Sequence, residues 1–320
     1  MVDMAPRLVL SCLLAACSSA PSAAGLDGSS EPEETPADAT PAPDTRSPPD
    51  TAALVADTAA PALDTGPPIA DAAPAEPSTS SEACGKGLPV PAEGVHQLMV
   101  GAMNRKFFLR LPSSYDGNKP WPVVFAFHGA GNKSASWFDT NTDLRPQLEE
   151  KAVLLFPEGP AKPDGSLSWV YLSPENVLFV DAMIDWLKKA VCIDPARLFA
   201  TGQSSGGYMA MTLGCQRGTV FRAVATSSGG ILEPGPCTGN PHVLMRTGKA
   251  DTASTHDSVV KTRDFWLMHK GCSADPPRPI DPAPCVSYGG CGSSLIWCED
   301  GGSHGWPGYA TKAIWNLFSL

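Results

Sequence analysis

Arg197-Leu198-Phe199-Ala200-Thr201-Gly202-Gln203-Ser204-Ser205-Gly206-Gly207-Tyr208-Met209 is the stretch that decides the fold. Its first five residues read as a short buried strand and its last residues open a helix. Between them, glycines two before and two after Ser204 let the chain turn sharply without a Cβ clash. The serine hydroxyl is thereby thrust out at the helix N-terminus. A bare Gly-x-Ser-x-Gly is common by chance. The apolar strand before this one and the helix after it make Ser204 a candidate nucleophile.

Outward from that stretch, residues 123–127 form a continuous apolar run, as a parallel strand buried on both faces requires. Residues 153–156, 223–227 and 242–246 have the same character, and 97–100 with 106–111 read as a hairpin. Helical patterns lie between the strands. Over 177–191, Val177, Val180, Ile184, Leu187 and Val191 follow i, i+3, i+4 spacing. A last helix is expected over 309–318. Strands alternating with helices predict a doubly wound, mostly parallel α/β sheet spanning 84–320.

A serine nucleophile needs a base, and the chain has six histidines. His304, in Gly301-Gly302-Ser303-His304-Gly305-Trp306-Pro307-Gly308, follows an apolar strand at 295–298 and precedes the last helix. That position suits the base of a chain-ordered Ser, acid, His triad. His96 falls before the sheet, His242 starts a strand, His256 and His269 sit on a helical stretch, and His128 reads as a structural hydrogen-bonder. Asp251 closes a strand and glycine turn and is the candidate acid. Its rivals Asp257 and Asp264 fall inside the following helix. For the oxyanion, the backbone N–H of Ser205 is one expected donor. The other is Ala130 of His128-Gly129-Ala130-Gly131, with Gly129 the near alternative. This chemistry calls for no cofactor and no metal.

The N-terminal quarter has another texture. Arg7 precedes an apolar run from Leu8 to Ala16 that is too short to span a bilayer, and Leu14-Ala15-Ala16-Cys17 closes it. Residues 1–16 therefore read as an export signal. The ending resembles a bacterial lipobox, in which Cys17 would be the lipid attachment site and an outer-membrane or cell-surface location would follow. Residues 18–83 hold 12 of the 33 prolines, no aromatic residue, and 12 acidic residues against Arg46 alone. Such a segment cannot bury enough surface to offset its chain entropy, so 17–83 is expected to be a disordered tether reaching on the order of 45 Å. The whole chain carries −10. Nearly all of that charge belongs to the tether, so the acidity says nothing about the substrate, and no basic cluster points to nucleic acid. Beyond Cys12 and Cys17, eight cysteines remain. An even number in an exported chain reads as four disulfides of open connectivity, and the absence of any Cys-x-x-Cys argues against zinc.

The domain resembles the exported α/β-hydrolases that comprise feruloyl esterases, acetylxylan esterases and polyhydroxybutyrate depolymerase-like enzymes. The resemblance runs from Cys84-Gly85-Lys86 through Leu109-Arg110-Leu111-Pro112, His128-Gly129-Ala130-Gly131, Phe156-Pro157-Glu158-Gly159 and the serine turn. It ends on Cys285-Val286-Ser287-Tyr288-Gly289-Gly290-Cys291, Trp297-Cys298 and Gly302-Ser303-His304-Gly305-Trp306-Pro307. The Cys-x-x-Tyr and Trp-Cys elements are closer to the feruloyl branch. Two departures stand out: Glu175-Asn176 replaces an acidic pair before the central helix, and no Val-Pro follows Asp251. The resemblance implies a monomeric feruloyl esterase acting on ester-bearing plant cell-wall polysaccharide such as xylan, with Trp169 and Trp306 either as aromatic faces for a feruloyl ring or sugar or as core packing. A polyester or acetylxylan esterase is the alternative substrate reading. A non-catalytic carbohydrate-binding surface protein on the same fold is the alternative of another class.

Overall fold

The computed structural model describes residues 80–132, 142–169, 173–231 and 235–320, so the signal, Cys17 and nearly all of the tether lie outside the described residues. The strands are β1 (Gly94–Val100), β2 (Met103–Arg110), β3 (Trp121–Phe127), β4 (Val153–Pro157), β5 (Ile193–Gln203), β6 (Ala223–Ser227), β7 (His242–Gly248), β8 (Arg278–Pro279), β9 (Cys285–Ser287) and β10 (Leu295–Asp300). They form one sheet in the order β1-β2-β4-β3-β5-β6-β7-β10-β9-β8. From β4 across to β10 every neighbouring pair is parallel. The hairpin β1–β2 closes one margin antiparallel, and β9 and β8 close the other.

β3 shows why two helical layers are needed. All of its residues are buried. Val123, Phe125 and Phe127 join one apolar cluster, while Val124 and Ala126 join a second on the opposite face. The two-residue period of a strand imposes this division, and each face must then be covered. Helices α2 (Pro174–Ala190), α3 (Ser205–Gln216) and α4 (His256–His269) cover the first face through residues such as Val180, Met209 and Trp266. Helices α1 (Leu144–Leu148) and α5 (Ala310–Phe318) cover the second through Leu144, Leu148, Ile314 and Leu317. The doubly wound, mostly parallel α/β sheet expected from the sequence is the one that forms.

Two boundaries move. β5 begins at Ile193 rather than at 197, because Trp121 pairs with Ile193 ahead of a register shift in the β3–β5 ladder. The folded part begins before Cys84. Ser81 is buried, its Oγ donates to Val191 O at 2.8 Å, and it accepts from Ile193 N–H at 3.0 Å. Ser81 N–H donates to Ile193 O at 2.9 Å and Ala83 N–H to Lys188 O at 3.1 Å. The eight cysteines pair as Cys84–Cys192, Cys215–Cys237, Cys272–Cys291 and Cys285–Cys298. Among the described residues, no helix is long and apolar enough to cross a membrane.

Candidate active site

β5 ends at Gln203, and Ser204 follows at φ 56°, ψ −125°. A non-glycine residue held in such a region costs on the order of 1–3 kcal/mol, a cost that recurs at functional turns. The neighbours over-determine it. Ser204 N–H donates to Ser227 O, and Tyr208 N–H donates to Ser204 O, both at 3.0 Å. Gly206 is required by close approach: a Cβ there would lie 2.0 Å from the Phe127 carbonyl oxygen and 2.5 Å from that of His128. The end of β3 and the first turn of α3 therefore touch backbone to backbone. This packing sets the loop of residues 128–131 against Ser204, with the Cβ position of Gly129 only 3.4 Å from Ser204 Cβ.

Ser205 is the first residue of α3, where backbone amides have no intrahelical acceptor and favour negative charge. Ala130 lies in an exposed turn after β3. Neither amide meets a backbone acceptor among the described residues. His128 is fully buried, with Nδ1 against Gly129 O at 2.8 Å and Nε2 accepting from Gly159 N–H at 3.0 Å. Both ring nitrogens are occupied, so it braces the loop.

Asp251 comes three residues after β7, with its side chain fully buried. It accepts from the N–H groups of Ala253 and Ser254, each at 2.9 Å. His304, in the loop after β10, brings Nδ1 to 2.9 Å from Oδ2 and 3.0 Å from Oδ1. Burial pushes the Asp251 carboxyl up, but hydrogen bonds from His304, Ser228 and Ser254 outweigh it and hold the group below the usual carboxylate range. An ionised partner at Nδ1 keeps the imidazole proton there and leaves Nε2 as the basic nitrogen. The same pair of serines serves this loop and the elbow. Ser227 Oγ donates to Gly305 O at 2.6 Å and Gly305 N–H to Ser228 Oγ at 3.4 Å, while Ser227 O receives the Ser204 amide. Ser204, Asp251 and His304 thus stand at the C-terminal ends of β5, β7 and β10, where open α/β sheets place their sites.

The two tryptophans differ in their surroundings. Trp169 is 2% exposed and packs edge-on against Phe127 with centroids 5.0 Å apart, so it belongs to the core and offers no face to a substrate. Trp306 is half-buried, and its Nε1 donates to Asp143 Oδ1 at 3.1 Å and Thr311 Oγ1 at 3.0 Å, fastening the segment after His304 to α1 and α5. Sequence reasoning missed Ser228, Arg246, Asp300 and Tyr309, which surround the His304 loop. Arg246 had a signal: a charged residue inside a run otherwise fit for burial must find a partner.

The chain matches the Esterase family model over residues 102–275. It is 28% identical over 256 residues to feruloyl esterase C of Emericella nidulans, covering 75% of this chain and 91% of that protein. It is also 28% identical over 265 residues to feruloyl esterase D of Neurospora crassa, covering 75% and 90%. Among solved structures, an acetyl xylan esterase from Aspergillus awamori superposes with a TM-score of 0.58 over 71% of this chain and 99% of its own, at 16% identity. That identity speaks for the fold alone.

Proposed function

Because the chain belongs to the Esterase family of carboxylic ester hydrolases, we propose that it works by a serine mechanism, with Ser204 as nucleophile, His304 as base and Asp251 as the acid that orients it. The observation that carries this reading is the Asp251–His304 pair at 2.9 Å, on a loop that Ser227 ties to the turn holding Ser204 at positive φ. Ser204 Oγ attacks the ester carbonyl as His304 Nε2 takes its proton. Asp251 stabilises the imidazolium, and the amides of Ser205 and Ala130 receive the developing oxyanion. The imidazolium then protonates the departing alcohol, and a water activated by the same nitrogen hydrolyses the acyl-enzyme. These steps use protein groups and water only.

The substrate we assign is a feruloyl ester of plant cell-wall xylan, on the strength of the curated relatives, which are named feruloyl esterases C and D. The setting is extracellular. Residues 1–16 direct export, Cys17 carries a lipid, and the acidic segment after it holds the domain away from the surface. The disulfides support an oxidising destination. The test is a panel of methyl ferulate, feruloylated xylan, acetylated xylan and 3-hydroxybutyrate oligomers, run on the wild type and on Ser204→Ala. Ferulate release is expected to dominate, and Ser204→Ala should lower turnover by roughly 10⁴–10⁶. Acetate release above ferulate release would transfer the assignment to acetylxylan. Turnover that survives in Ser204→Ala would remove the serine mechanism. Labelling with a palmitate analogue, present on the wild type and absent on Cys17→Ala, tests the anchor.

A further inference from the structure

We propose that Arg246 is the positioning residue of the base, its guanidinium gripping the two carbonyls that bracket His304 and so fixing where the imidazole stands. The inference rests on the serine-hydrolase reading above.

The loop that carries His304 includes Gly301, Gly302, Gly305 and Gly308, and a stretch so rich in glycine has much backbone freedom to lose. Something outside it must hold it. Arg246 Nη1 donates to Ser303 O and to Gly305 O, each at 3.2 Å, and to Ser228 Oγ at 3.1 Å. The other side of the fork grips Asp300, with Nη2 at 2.7 Å from Oδ1 and 2.9 Å from Oδ2, and Nε at 3.0 Å from Oδ2. Asp300 itself accepts from Gly302 N–H at 2.8 Å and from Tyr309 Oη at 2.5 Å. Residues 302, 303 and 305 are therefore tied to one ion pair, and so is Tyr309 where α5 begins. Ser228 extends the network toward the acid, whose carboxyl it helps to hold below the usual range.

The parallel ladder explains why these two residues meet. Its register sets Arg246 opposite Cys298 and Gly248 opposite Asp300, so the long arginine side chain leans along the strand to reach the carboxylate. Only 3% of Arg246 is exposed, and its hydrogen bonds are not shared with bulk solvent. A planar guanidinium can serve a carboxylate on one edge and carbonyls on another, which an ammonium cannot. The competing reading is a plain structural ion pair between β7 and the end of β10. The two carbonyls beside His304 argue for more than that, because displacement of about 1 Å at a reacting group can cost around 10²-fold in rate.

The experiment is a double-mutant cycle on the full chain with a soluble ester. Arg246→Gln should lower kcat roughly 30- to 300-fold with KM changed less than threefold. Arg246→Lys should fall between Gln and wild type, since it keeps the charge opposite Asp300 and loses the fork. In the His304→Ala background, Arg246→Gln should lower the residual rate by less than about threefold, because the group it positions is gone. Losses that multiply across the cycle, or a rise in KM with kcat unchanged, would overturn the proposal. Thermal unfolding checks that each variant is folded. If Arg246→Gln is not, Tyr309→Phe, which removes one donor from Asp300, takes its place. It should lower kcat about 3- to 10-fold and be equally silent in His304→Ala. The two readings fail separately. Turnover in Ser204→Ala would end the serine mechanism, while a dead Ser204→Ala with a multiplicative Arg246 cycle ends the positioning claim alone.

Discussion

At the scale of the residue, the site depends on what has been removed from water and what compensates for it. Asp251 is buried yet held below the usual carboxylate range by its hydrogen bonds. Linkage sets the sign. A folded value lower than the unfolded value of about 3.9 adds stability that is fully present above that pH and lost as pH falls through the folded value. Thermal unfolding of the wild type and of Asp251→Asn should therefore converge between pH 7 and pH 2.5, and curves that stay parallel would refute the linkage. At pH 7 the same variant should lose roughly 10⁴ in kcat, because an amide favours the wrong imidazole tautomer. Gly206→Ala tests packing instead. A methyl group 2.0 Å from the Phe127 carbonyl oxygen must push β3 and α3 apart. A loss of about 3 kcal/mol is expected, measured by urea unfolding. The positions of Ser204, Asp251 and His304 in the fold were legible because each is written in local sequence: an elbow, a strand end, a glycine-rich loop. Trp169 was not, since whether an aromatic residue lines a groove or fills a core depends on which side chains meet it. Phe127 and Arg105 do so here, the latter's guanidinium 6.0 Å from the ring centroid.

At the scale of the element, the central strands were legible for a simple reason. A strand buried on both faces has no polar side to disguise it, as β3, β4 and β6 show. The short pieces were not. α1 spans five residues and β8 two, too few for any period to register. Cysteine pairing was also hidden, because it depends on register. Cys285 and Cys298 stand directly opposite in the β9–β10 ladder. The disulfides should not be equivalent. Cys84–Cys192 closes a separation of 108 residues and Cys272–Cys291 only 19. The chain-entropy account gives about 5 kcal/mol for the first and about 3 for the second. Denaturant midpoints of the two double-alanine variants, Cys84 with Cys192 and Cys272 with Cys291, should fall in that order. The reverse order would place their effect in the folded state.

At the scale of the whole molecule, the sequence divides near residue 80, and Ser204, Asp251 and His304 all lie on the C-terminal side of that division. A chain beginning at Ser80 should keep kcat/KM on a soluble ester within about twofold of the full chain, whereas one beginning at Cys84 abandons Ile193 N–H and Val191 O. Each buried backbone group left unpaired costs about 1–3 kcal/mol, so the shorter chain should melt earlier. The docking of Ser81 also has a mechanical consequence. Ser81 is fastened at Ile193, where β5 begins, and Ser204 stands just past where it ends, roughly 25 Å away, since Ile193 to Gly202 spans only the length of β3 from Trp121 to Phe127. Whatever pulls on the chain ahead of Ser81 thus pulls at the end of β5 opposite to Ser204, and Cys84–Cys192 lies close to that point. Like a tool gripped by its handle, a chain beginning at Ser80 and fixed to a bead through that residue should still hydrolyse a polymeric ester, and one fixed through the 128–131 side should not.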